Sequence, residues 1–197
     1  MQASETRNSN GLDQFCSALE ARPGLSILDF SGASQSTISF ITDYGHRLYS
    51  DDFGHQLDHC FGTTGEFYEN QSNPLLVSRF LGAAMDFEEQ SFDGALVWDS
   101  LQFLTPMLLQ NVVGRLHRIL RPGSSLLAVF HADERVEDIP TWSYRIQDRK
   151  TVVMAHRTQR RPAQVFNNRS LEKLFQDFSS VKFFLTRDHL REVLVRR

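Results

Sequence analysis

Two apolar runs flanking one long amphipathic stretch restrict this chain more than any other feature. Residues 92–98 read as a buried strand, and Thr105-Pro106 supplies an N-cap and a first-turn proline for a helix. Leu109, Val112, Val113, Leu116, Ile119 and Leu120 then recur at the spacing of one helical face. Arg121-Pro122-Gly123 ends that helix, and residues 125–130 form a second fully apolar run. Strand, helix and strand in this order make the βαβ unit of a parallel sheet, so the fold class is α/β.

The remaining segments extend this unit. Residues 1–10 read as a loose tail, and Leu12, Phe15 and Leu19 as a short helix stopped at Pro23-Gly24. Residues 25–30 form a strand, 37–44 a helix ended by Gly45, and 46–50 a second strand that runs into Asp51-Asp52. Residues 54–74 are irregular with one helix, and 75–81 fit a helix turn or a third strand. Near the end, Leu171, Leu174, Phe175 and Phe178 form an amphipathic helix. Two strands follow, at 181–185 and 193–195, close enough around Asp188-His189 to be an antiparallel pair. The expected architecture is a doubly wound, mostly parallel, seven-stranded Rossmann-like sheet with an antiparallel C-terminal edge hairpin. It occupies residues 24–197 as one domain, after a tail and short helix at 1–23, and carries a basic, hairpin-like insert at about 135–165.

A length of 197 residues suits one domain. Hydrophobic residues at 41% and charged residues at 23% exclude a disordered, collagen-like or coiled-coil chain. No apolar run reaches the roughly 18 to 20 residues of a membrane span, and the polar start lacks the apolar core of a signal peptide. Cys16 and Cys60 are too few for a disulfide framework, so a reducing, cytoplasmic setting is expected. The net charge of −3 hides an asymmetry, with −11 over residues 1–99 and +8 over 100–197. Such a field either draws charged partners or is balanced between the two halves after folding.

In open α/β sheets, ligands sit beyond the carboxyl ends of the strands where strand order reverses. Three strand ends qualify: residues 29–34, Asp51-Asp52, and Trp98-Asp99-Ser100. Here the sequence resembles the class I S-adenosylmethionine-dependent methyltransferases, of the type 11 kind, over about residues 25–197. Residues 27–35 (Ile-Leu-Asp-Phe-Ser-Gly-Ala-Ser-Gln) match in position an acid followed by a glycine-rich turn. Asp51, Asp52 and Phe53 match the acid that binds ribose hydroxyls and the apolar residue that touches adenine. Residues 87–93 match a loop leading into a Phe-Asp strand start, and Leu120-Arg121-Pro122-Gly123 the entry to the fifth strand.

The resemblance implies S-adenosylmethionine as cofactor, held by Asp29, Ser31, Gly32, Ala33, Asp51, Asp52, Phe53, Asp86, Phe87 and Trp98, with a small-molecule acceptor. Asp99 and His131, at the ends of two strands, are the candidate bases for an acceptor proton. The sequence departs from the family at the turn, where Ser31, Ala33 and Gln35 stand in the three glycine positions, and at Leu81, where an adenine-contacting acid is expected and Asp86 is the nearest substitute. This departure supports a second reading, a catalytically inactive binding or scaffolding module with its pocket filled by Gln35 or its neighbours. Arg145, Arg149, Lys150, Arg157, Arg160 and Arg161 beside Trp142 and Tyr144 could grip nucleic acid or an acidic partner, or form a solvated hairpin. His55, His59 and Cys60 lack a defined ligand set, and no metal site is expected.

Overall fold

Strands and helices alternate along most of this computed structural model, which describes residues 4–20, 22–132, 137–186 and 189–197. In chain order the elements are β1 (Ser4–Asn8), α1 (Asn10–Leu19), β2 (Ser26–Asp29), α2 (Gln35–Asp43), β3 (Arg47–Ser50), α3 (Phe53–Phe61), α4 (Phe67–Asn70) and α5 (Pro74–Ala84). Then come β4 (Phe92–Trp98), a 3-10 turn at Ser100–Phe103, α6 (Pro106–Ile119), β5 (Leu120–His131), β6 (Ile139–Ile146), β7 (Thr151–Arg160), α7 (Asn168–Leu174), β8 (Ser180–Leu185) and β9 (Leu190–Arg196). Several starts are set by side-chain caps: Ser9, Ser34, Asp52 and Asn73 each accept a first-turn amide of the helix they precede.

The main sheet has the order β3-β2-β4-β5-β9-β8. Its first four strands are parallel, while β9 runs antiparallel to both β5 and β8. Six strands replace the expected seven. Residues 75–81, the candidate third strand, lie in α5, where Asn73 caps the start, Pro74 fixes the first turn and Phe80, Leu81 and Ala84 share the buried face. That leaves β3 at the sheet edge.

Apolar side chains alternate between the two faces, as a sheet covered on both sides requires. Leu28, Val97, Leu126, Ala128 and Phe130 join one core beneath α3, α5, α6 and α7, and Ile27, Leu96, Trp98, Leu127 and Val129 join the other with α1 and α2. Gly94 in β4 is required by this second core: a Cβ there would lie 2.8 Å from the Phe15 ring.

The insert forms a second, antiparallel sheet of order β1-β7-β6. Residues 4–8 are therefore not a loose tail, since Ser4 to Asn8 pair with Ala155 to Thr151. Arg7 makes an ion pair with Glu192 of β9 at 3.1 Å, and the Gly11 amide donates to the other oxygen of Glu192 at 2.7 Å. The expected turn residue Asp188 and the first residues of the insert, 135 and 136, lie outside the described residues. No helix among the described residues is long and apolar enough to cross a membrane.

Candidate active-site crevice

Strand order reverses between β2 and β4, and the carboxyl ends of β2, β3 and β4 meet there around one cavity. Ser31, Asp52, Trp98 and Asp99 line it from the main sheet, and Trp142, Tyr144, Arg157 and Arg160 line it from the hairpin. This is the crevice where the doubly wound plan places a ligand.

Asp29, the last residue of β2, is fully buried. Its Oδ1 accepts the Trp98 indole N–H at 2.6 Å and the Ser31 amide at 3.1 Å. Burial pushes its carboxyl up to about 7, against the opposing pull of the Trp98 indole, the Ser31 amide and the Ser50 hydroxyl. Asp99 follows Trp98 and is 5% exposed. Burial pushes it up to about 7 as well, although the Trp142 amide donates to Oδ2 at 3.3 Å. Trp98 takes the left-handed backbone conformation, with φ +55°, which turns its indole into the crevice.

Asp52 caps α3 by accepting the His55 amide at 2.9 Å. Both its oxygens also accept N–H groups of Arg157, each at 2.7 Å. Burial raises the Asp52 carboxyl, but Arg157 and the His55 amide outweigh it and hold the group below the usual carboxylate range. Gly32, with φ +85°, donates its amide to the Asp51 carbonyl at 3.0 Å, and a Cβ there would crowd Asp52. Ala33 is exposed. Gln35 is exposed too and bonds Ser39, so it does not fill the pocket.

The hairpin fills it instead. Among the described residues strand β6 pairs with β7 along one edge only, and at its other edge three alternate amides are captured by the crevice. Trp142 donates to Asp99, Tyr144 to the Ser31 hydroxyl at 2.5 Å, and Ile146 to the Thr37 hydroxyl at 3.0 Å. An edge strand's unpaired donors are thereby satisfied without a further strand. Tyr144, Ile146, Val152 and Met154 join the second core, each no more than 2% exposed, and such burial contributes about 1.5–3 kcal/mol per side chain. The hairpin is thus part of the fold.

Four expected site residues lie elsewhere. Phe53 is buried in the first core, stacked on Phe30 at 4.6 Å, because its position as the first residue of α3 turns the ring under the sheet. The Phe87 ring packs on Phe92, the first residue of β4, and so sits with exposed Asp86 about 20 Å of strand away from Trp98. His131 ends β5, its amide bonded to Gln102, and it does not line the cavity. Among the residues that sequence reasoning did not place at the crevice are Trp142 and Tyr144, whose one local signal was their alternation with Ile146, and Thr37, which had none.

The charge asymmetry resolves largely within the molecule. Arg149 pairs with Asp13 and Glu20, Lys150 with Asp13, Arg157 with Asp52, and Arg160 with Asp58 while lying over the Phe67 ring at 3.8 Å. Arg145 and Arg161 make no ion pair among the described residues. The His55 and His59 rings stack, and no cluster of three metal-ligating side chains occurs among the described residues.

The cavity measures about 60 Å³, against the roughly 300 Å³ and more of a typical ligand site. In this conformation the space does not admit S-adenosylmethionine.

No protein-family model and no curated protein sequence matches the chain. Solved structures do match in fold. A SAM-dependent methyltransferase from Methanosarcina mazei superposes with a TM-score of 0.51 at 17% identity, covering 90% of this chain and 94% of its own. A TehB-like SAM-dependent methyltransferase from Corynebacterium glutamicum gives 0.50 at 11% identity, covering 95% and 87%. The [4+2]-cyclase SpnF gives 0.52 at 10%, covering 93% and 77%. One architecture thus carries more than one chemistry. With its β3-β2-β4-β5-β9-β8 sheet and its acids at the switch point, the chain has the class I SAM-dependent methyltransferase fold.

Proposed function

We propose that this protein is a S-adenosylmethionine-dependent methyltransferase acting on a small-molecule acceptor. One observation carries the reading: Asp29, Asp52 and Asp99 stand at the ends of three adjacent strands around the switch-point crevice, two of them held at about 7 by burial. Buried carboxylates and a left-handed tryptophan are costly to keep, and such costs cluster where a ligand is bound. Asp52 would receive the ribose hydroxyls and Asp99 would take an acceptor proton. Calorimetric titration with S-adenosylmethionine and S-adenosylhomocysteine tests this. Micromolar binding that Asp52→Ala weakens at least tenfold is expected; no binding at millimolar cofactor would overturn it.

The 60 Å³ cavity favours a second reading, a methyltransferase-fold module without catalysis that holds a partner through its basic hairpin. It predicts no cofactor binding, and a co-purifying partner that is lost on charge reversal at Arg145 and Arg161. Retention of the partner by that variant would remove the hairpin as the surface.

A further inference from the structure

The hairpin's core-facing side chains are too deeply buried for it to swing clear, yet a smaller motion would enlarge the crevice. A second hollow of about 290 Å³ lies outside the first, lined by residues of the Ser31 turn, by Asp51 and by Arg145. The two spaces share Ser31, Asp52, Tyr144 and Arg157. Ser31 and Tyr144 are fixed to each other through the backbone amide of β6. Asp52 and Arg157 are joined only by side chains, each about one third exposed, and the guanidinium also reaches the Ser31 carbonyl at 3.4 Å. Gly54 makes room for it: a Cβ there would lie 3.2 Å from the Arg157 nitrogen.

We infer that the Asp52–Arg157 pair is a side-chain gate. When Arg157 turns outward, the inner cavity and the outer hollow join into one cleft of nucleoside size while β6 and β7 stay in place. A ligand with vicinal hydroxyls then takes over the Asp52 oxygens that the guanidinium held. This rests on the reading of the crevice as a cofactor site, and it explains how a site closed by its own fold could be entered by parting one side-chain ion pair and no backbone ladder.

The chain's two tryptophans, Trp98 and Trp142, both line the inner cavity, so their fluorescence reports the gate without any ligand. Quenching by neutral acrylamide would be measured on the wild type, Arg157→Ala and Arg157→Lys, at low salt and at 1 M NaCl. The gate predicts about twofold stronger quenching in Arg157→Ala, an intermediate Arg157→Lys, and a rise with salt in the wild type and Arg157→Lys but not in Arg157→Ala, since salt screens the pair. Equal quenching in all three proteins at both salt levels would overturn it. Titration of the same samples with S-adenosylhomocysteine separates the two ideas. Affinity up to about fivefold tighter in Arg157→Ala supports both. Increased quenching with no binding in any protein keeps the gate and removes the cofactor reading. Equal binding with unchanged quenching does the reverse.

Discussion

The Tyr144 ring lies flat on the Trp98 indole, with centroids 4.7 Å apart and planes within 5°. The stack joins the end of β4 to the middle of β6 and holds the left-handed Trp98 in place. Tyr144→Ala should therefore cost about 3–5 kcal/mol, the usual penalty for emptying a buried aromatic site. Urea denaturation followed by far-ultraviolet circular dichroism measures it, and a loss below about 1 kcal/mol would mean that the stack does not anchor the hairpin.

Asp99 makes stability depend on pH. Its folded carboxyl titrates at about 7 against 3.8 for the free group, so between these values the native state binds the extra proton. Stability from this group is full below pH about 4, declines as pH rises, and is lost above about 7. Asp99→Asn removes the charge, so it should stabilise the protein by about 2–4 kcal/mol at pH 8 and by little at pH 4. Melting curves of both proteins across this range would show the gap opening with pH; a constant gap would refute the assignment. Methyl transfer, if Asp99 is the base, would fall in the same variant.

Thr37 is fully buried, and its hydroxyl accepts the Ile146 amide. Thr37→Val keeps the shape and leaves that amide without an acceptor, at a cost of about 1–3 kcal/mol. Hydrogen exchange at Ile146 should accelerate while the β6–β7 ladder amides remain protected. Unchanged exchange would show that the edge amide has another partner.

Gly94→Ala forces a Cβ against the Phe15 ring at 2.8 Å. Overpacking of this kind costs about 1–3 kcal/mol. Phe15→Leu in the same chain should recover part of that loss, and a double-mutant cycle with no coupling between the two sites would contradict the packing described.

The βαβ centre was legible because its signals are local: a seven-residue apolar run, a proline at the first turn, and helical spacing from Leu109 to Leu120. The acids at the strand ends followed from the same segments. Residues 75–81 were ambiguous because a short apolar run fits a helix and a strand alike, and the Asn73-Pro74 start decided it. Phe53 and Phe87 were misplaced because position along a motif does not say which way a ring turns. The closure of the crevice could not be read at all: Ser31 and Tyr144 are 113 residues apart, and their bond joins an ordinary serine to a backbone amide.

The pairing of β1 with β7 has a consequence for how the chain can fold. The first strand waits for a partner made only after about 150 residues, and β5 in the middle of the main sheet waits for β9 at the far end. Asp13, Glu20, Asp52 and Asp58 likewise meet their cations only when residues 149–160 exist. On a ribosome, residues 1–99 would emerge as a negatively charged, open-edged fragment, and the native sheet could close only after β9 has been released. Folding should accordingly be slow and intolerant of the loss of β1 or β9.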